Sequence, residues 1–138
     1  MARSKKRRRA PVPRPRVVGL MAGEGYSCHG PVKPSTEDMK ELRQAGFNIR
    51  KSGLRIPEMR VTFWRSVVCG TDECAGLCVS KTGQPYQIML RSGDGWVETL
   101  VHEVAHAVTD GAVRTGFSAH SQVWAAIYGL LYQVVIQR

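Results

Sequence analysis

The segment at residues 96–110 (WVETLVHEVAHAVTD) places the strongest constraint on the fold of this chain. The turn-forming residues 92–95 precede it, Gly111 follows it, and its apolar residues recur at helical spacing, which predicts an amphipathic helix. On such a helix His102 and His106 lie about 40° apart on one face. The opposite face carries four apolar residues, Val97, Leu100, Val104 and Val108. We therefore expect the helix to pack on its apolar side and to turn both imidazoles outward to a cleft.

The residues His102-Glu103-x-x-His106 form a pattern with a specific chemistry. Two imidazoles one helical turn apart can reach one tetrahedral zinc ion at about 2.0–2.1 Å, and the adjacent carboxylate then lies beside the open coordination position. Glu103 could there accept a proton from a bound water, which predicts a zinc-dependent hydrolase with Glu103 as its catalytic base. The alternative is a helix with two solvated histidines and a surface glutamate.

A catalytic zinc ion needs a third protein ligand, and His120 is the only other histidine after the pattern. It falls in the first turn of the predicted last helix, and the preceding loop contains glycine and is long enough to reverse the chain. Asp110 and Glu98 are competing ligands, since each lies one turn along the helix from the histidine pair; either could instead orient an imidazole N–H. The pattern does not distinguish zinc from manganese.

The rest of the chain predicts an α+β domain. Residues 35–46 are expected to form a short helix, capped by Ser35 and ended by Gly46, and residues 17–34 to be irregular. Strand-like runs at residues 61–69 and 86–91 indicate a sheet of about three antiparallel strands in a meander. The last helix is predicted over residues 119–137, where apolar residues recur at helical spacing.

The net charge of +9 comes mostly from the N-terminus, because the first sixteen residues hold eight Lys and Arg and no acid. Residues 1–16 are therefore predicted to be a disordered basic arm that can meet nucleic acid, and residues 17–138 a single domain. No run of residues is apolar enough to cross a bilayer, and no apolar core of a signal peptide follows the basic residues, so we expect a cytoplasmic protein without a membrane partner.

Four cysteines are present, and three of them are close in sequence: Cys69-x4-Cys74-x3-Cys78. In a cytoplasmic protein these thiols and Cys28 are expected to be reduced. The spacing fits a zinc or iron–sulfur site only loosely, because such ligands usually come as two separate pairs. A second metal site at the cysteines is therefore an open alternative.

The run from Leu100 to Ala107 (LVHEVAHA), followed by a glycine-containing loop and His120-Ser-Gln-Val-Trp124, resembles the SprT-like (Spartan-type) zincin metallopeptidases and small metallohydrolases of actinobacteria and their phages. The resemblance implies a small zincin-like domain in which His120 is the third zinc ligand and the substrate is a protein or peptide. It also implies that strand 86–91 is the sheet edge lining the cleft, where an extended peptide would add as another strand. Ser121 departs from the family's usual glycine.

Two functions follow from the sequence. The first is a zinc peptidase with Glu103 as base and His102, His106 and His120 as metal ligands. The second is a nucleic-acid-binding protein in which the arm at residues 1–16 does the work and any metal is structural. Glu103 separates them, because a structural site has no use for a carboxylate beside an open coordination position.

Overall fold

The computed structural model describes residues 16–18, 25–114 and 121–137. Six strands and three helices follow one another in the order β1 (Arg16–Val17), β2 (Tyr26–Val32), α1 (Thr36–Arg50), β3 (Met59–Cys69), β4 (Asp72–Glu73), β5 (Gly76–Ser80), β6 (Tyr86–Arg91), α2 (Trp96–Arg114) and α3 (Gln122–Val135). The chain is thus an α+β fold, as predicted. None of the described helices is long and apolar enough to cross a membrane.

The sheet is mixed and larger than the three-stranded meander that the sequence predicts. Its order is β1-β5-β6-β3-β2, and β4 pairs with the end of β3. β2–β3 and β5–β6 are antiparallel pairs, whereas β3 and β6 run parallel, with Met59 opposite Tyr86 and Trp64 opposite Arg91. A parallel pair needs a crossover, and the segment that carries β4 and β5 provides it.

β6 lies inside the sheet, so the expectation that it forms the edge beside the cleft is wrong. β5 separates β6 from the two-residue strand β1, which pairs only with Val79 and Ser80 at the far end of β5. β6 accordingly has both sides paired, and its residues Ile88 and Leu90 are fully buried. Of these two strands, β5 is therefore the one nearer the sheet edge.

The segment at residues 17–34, predicted to be irregular, contains β2. Pro31 and Gly30 obscured the strand in the sequence, but β2 is the last strand in the sheet order, and an outer strand tolerates proline. Gly30 takes a φ of +67°, which glycine adopts without strain. β2 holds β3 along six residue pairs.

α1 and α2 begin close to where the sequence predicts and end later, whereas α3, predicted to end at residue 137, ends at Val135. Ser35 caps α1 by accepting a hydrogen bond from the Asp38 amide at 3.0 Å, as predicted, but α1 continues through Gly46 to Arg50. Ile49 is 3% exposed in the core, and its burial outweighs the cost of about 1 kcal/mol for glycine within a helix. α2 likewise passes Gly111 and ends at Arg114.

The main core lies between the sheet and the helices. α2 packs against β5, β6 and α3, and α1 also contacts α3. The buried residues of this core include Phe63, Cys78, Ile88, Leu90, Trp96, Leu100, Val101, Val104, Ala105 and Leu131. A smaller apolar cluster on another part of the sheet comprises Val17, Val67, Leu77, Val79 and Met89.

Candidate metal centre

The structure brings His102 and His106 together on α2. Their Nε2 atoms are 3.1 Å apart and their ring centroids 4.8 Å apart. In the metal-free chain one Nε2 can donate to the other, and with a cation present both lone pairs can point at the same ion. Two nitrogens at about 2.05 Å from one tetrahedral ion would lie about 3.3 Å from each other, so this pair is close to the spacing that zinc requires.

The two imidazoles are not equally exposed, which differs from the expectation that both turn outward. His102 is half-buried, whereas His106 is only 4% exposed. Trp124 of α3 covers them, with its ring centroid 4.9 Å from that of His102 and 5.4 Å from that of His106. Tyr128, one turn further along α3, stacks on Trp124 at 4.9 Å. α3 therefore forms one wall of the site.

Glu103 is buried beside the pair, with 7% of its surface exposed. Burial raises the pKa of Glu103 from 4.5 to about 8, because loss of water penalises the ionised carboxylate. A strongly shifted pKa in a cleft is characteristic of functional carboxyl groups. The sequence pattern predicted the position of this glutamate but not its burial.

Glu103 and His102 share a cavity of about 350 Å³. The other lining residues are Cys74 and Ala75 between β4 and β5, Gly76 at the start of β5, Glu98 and Thr99 on α2, and Tyr128 on α3. Burial, and then the neighbouring Tyr132 and Glu98, raise the pKa of Tyr128, so its hydroxyl stays protonated at neutral pH and can donate a hydrogen bond. A larger groove of about 690 Å³ near α1 is lined by neither histidine nor cysteine.

Sequence reasoning missed the contribution of β5 to this cavity. Gly76 approaches α2 so closely that a Cβ there would lie 2.7 Å from Cγ2 of Thr99 and 3.0 Å from the backbone oxygen of Met89. A glycine inside a strand pattern is a known sign of close approach, and it was the signal available. Tyr128 was also missed, although its spacing of four residues from Trp124 puts both on one helix face.

The third ligand predicted from the sequence, His120, lies outside the described residues. Ser121, which follows it directly, caps α3 by accepting a hydrogen bond from the Trp124 amide at 3.4 Å. Within residues 16–18, 25–114 and 121–137, no group of three or more His, Cys, Asp or Glu side chains is placed to hold an ion. The described part of the site therefore supplies two imidazoles and the carboxyl groups of Glu98 and Glu103.

The competing ligands take different positions. Asp110 is 1% exposed and accepts a hydrogen bond of 2.7 Å from the Tyr86 hydroxyl, which ties the C-terminal half of α2 to β6. Glu98 is exposed and lines the cavity. Asp110 thus has a structural partner on the sheet, whereas Glu98 faces the cleft.

Comparisons with known proteins identify no relative. No protein-family model matches the sequence, and neither a curated protein nor a solved structure shows significant similarity to it.

Proposed function

We propose that this chain is a zinc-dependent metallohydrolase that cleaves peptide bonds. The observation that carries the proposal is the pair of Nε2 atoms of His102 and His106, 3.1 Å apart, with the buried Glu103 between them in sequence and on the same cavity as His102. Solvated surface residues would show neither the convergence of the rings nor the burial of the carboxyl group. The resemblance to SprT-like metallopeptidases agrees with this proposal.

His120 is proposed as the third ligand. It directly precedes Ser121, which caps the helix whose first turn carries Trp124 against both imidazoles. Three protein ligands leave one position of a tetrahedral ion for water or substrate, as catalytic zinc sites do. Manganese is the second candidate ion, although imidazole ligands suit zinc better.

A bound zinc ion would act as a Lewis acid and lower the pKa of a coordinated water towards neutrality. Glu103 would accept the proton of the attacking water and deliver it to the leaving amine. Its buried position suits this exchange, since burial raises the pKa of Glu103 to about 8 and makes its carboxylate a stronger base than an exposed one. A cation bound beside it would favour the ionised form that accepts the proton. Tyr128 can donate a hydrogen bond into the same cavity.

A peptide substrate is favoured by the strand beside the cavity. Gly76 at the start of β5 lines it, and the described strand on the outer side of β5 pairs only with Val79 and Ser80. An extended peptide could therefore lie along the start of β5 and present its backbone to the site. β5 thus takes the role that the sequence predicts for β6.

The catalytic role of Glu103 is tested by Glu103→Gln. The variant should keep its zinc and lose hydrolysis of a fluorogenic peptide library by about 10²- to 10⁴-fold, the usual contribution of a general base. Glu41→Gln, at an exposed position of α1, is the matched control and should leave the rate unchanged. Equal rates for Glu103→Gln and the zinc-loaded wild-type protein would exclude the proposed mechanism.

The ligand set is tested by metal analysis. The wild-type protein should hold one zinc ion per chain, and His106→Ala and His120→Ala should each lose it. His29→Ala is the control, because His29 is exposed on β2 and contacts Ser27 at 3.1 Å. Retention of zinc in His120→Ala would assign the third ligand elsewhere, with Glu98 the first residue to substitute.

The basic residues 1–16 are proposed to bring the enzyme to nucleic acid or another anionic partner. Residues 1–15 lie outside the described part of the chain. Deletion of residues 1–15 should weaken DNA binding and flatten its dependence on salt, while zinc content stays the same. A salt dependence unaffected by the deletion would assign the nucleic-acid contact to the folded domain.

A further inference from the structure

The fold groups the four cysteines differently from what their spacing in sequence predicts. Cys78 is completely buried in the main core between the sheet and the helices. Cys28, Cys69 and Cys74 instead pack against the smaller cluster around Val67. The grouping Cys69-x4-Cys74-x3-Cys78 therefore does not form a single site, because alternate residues of β5 face opposite sides and Cys78 points to the core.

β2 and β3 bring the three remaining thiols together. Cys28 is paired with Val67 across the β2–β3 ladder, and the Cys74 amide donates to the Val67 carbonyl at 2.9 Å. Burial, and then the nearby Cys74, raise the pKa of the Cys28 thiol. Cys69 and Cys74 are the closest pair, with their sulfur atoms 2.8 Å apart.

This distance favours a disulfide over a metal site. Two thiolates on one tetrahedral zinc ion lie about 3.8 Å apart, so Cys69 and Cys74 would have to separate by about 1 Å to share an ion. A disulfide requires about 2.05 Å, which these sulfur atoms reach by moving together by less than 1 Å. The absence of any three-ligand group among the described side chains points the same way.

We propose that Cys69 and Cys74 form a redox-active dithiol that a peroxide oxidises to a disulfide. One thiolate attacks the peroxide, its sulfur takes up an oxygen and becomes a sulfenic acid, and the other half of the peroxide leaves as water. The second sulfur then displaces that oxygen, so that an S–S bond forms, the S–O bond breaks and a second water leaves. The net reaction converts two thiols and hydrogen peroxide into one disulfide and two waters. A small dithiol then reduces the disulfide back to two thiols and is itself oxidised to a disulfide.

The dithiol adjoins the candidate metal centre. Cys74 lines the cavity that holds His102 and Glu103, and it is followed by Ala75 and Gly76, which line the same cavity. The disulfide would close the hairpin between β3 and β4 covalently and fix the position of this wall. Formation of the disulfide does not depend on the proposed hydrolase function, so each can fail without the other.

The experiment uses the full chain, reduced, freed of metal by a chelator and then treated with a small excess of hydrogen peroxide. Remaining thiols are alkylated and counted after denaturation, and the protein is digested with trypsin and a protease that cleaves after Glu73. These cuts place Cys69 in the peptide of residues 66–73 and Cys74 and Cys78 in that of residues 74–81. Cys78→Ala makes Cys74 the only thiol in the second peptide.

We expect the wild-type protein to lose two of its four thiols and to yield the two peptides joined by a disulfide. Cys28→Ser and Cys78→Ala should give the same link, and dithiothreitol should restore both thiols. A predominant link from Cys28, or four thiols remaining after peroxide treatment, would overturn the proposal. So would a zinc ion that stays bound in His106→Ala and is lost in Cys69→Ser.

Discussion

Removing the charge of Glu103 should stabilise the metal-free protein, by an amount that depends on pH. Burial raises the pKa of this carboxyl group from 4.5 to about 8, so the folded state binds a proton that the unfolded state has released across this pH range. The contribution of the protonated group to stability is fully present below pH 4.5 and is lost as the pH rises through 8. By pH 7 about 3 kcal/mol of this contribution to the free energy of unfolding is lost.

Glu103→Gln keeps the shape of the side chain without the ionisation. We compare the free energies of unfolding of the variant and the wild-type protein, both metal-free. The variant's excess over wild type should therefore be about 2–3 kcal/mol larger at pH 7 than at pH 5. Urea unfolding of chelator-treated, reduced protein at pH 5, 6, 7 and 8 measures this difference, and Glu41→Gln should show no comparable trend. Parallel pH profiles for wild type and Glu103→Gln would refute the assignment of the raised pKa to burial of Glu103.

Three further outcomes follow. A hundredfold excess of zinc over its dissociation constant should raise the free energy of unfolding of the wild-type protein by about 2.7 kcal/mol and leave His106→Ala unchanged, as measured by urea unfolding with and without zinc. Gly76→Ala should destabilise the fold by about 1–3 kcal/mol, because the added Cβ would clash with Thr99 of α2 and a backbone oxygen. Gly129→Ala on α3 is the control and should be neutral or stabilising, because its Cβ would meet nothing within 4 Å. Thermal unfolding compares the two variants. Tyr86→Phe should cost about 1–3 kcal/mol by removing the donor to the buried Asp110, and a loss below about 0.3 kcal/mol in denaturant unfolding would contradict that contact.

The helices could be predicted from the sequence because their signals are local. Ser35 and Asp38 define the start of α1 within four residues, and the repeat of apolar residues defines α2. The end of α1 could not be predicted, because Ile49 is held by contacts with residues distant in sequence and Gly46 looked like a stop. Local propensity is overridden where burial contributes more than glycine costs.

The sheet was harder to predict from the sequence, because the order of its strands depends on pairing between segments that are distant in sequence. The sequence of residues 86–91 does not indicate that this strand pairs in parallel with β3. Its alternating pattern is equally typical of an edge strand. The same difficulty hid the grouping of the thiols, since Cys28 comes near Cys74 only because β2 pairs it with Val67 of β3, whose carbonyl accepts a hydrogen bond from the Cys74 amide. The histidine pair was predictable because both histidines belong to one helical turn.

The burial of α2 between Leu100 and Asp110 has a practical consequence. Most of its residues from Leu100 to Asp110 are inaccessible to solvent, so the helix that would hold the metal is also the central element of the core. A screen of random variants for lost activity would therefore return packing positions such as Val101 or Ala105 together with His102 and Glu103. Measuring the amount of folded protein for every variant would distinguish the variants that lose catalysis from those that fail to fold.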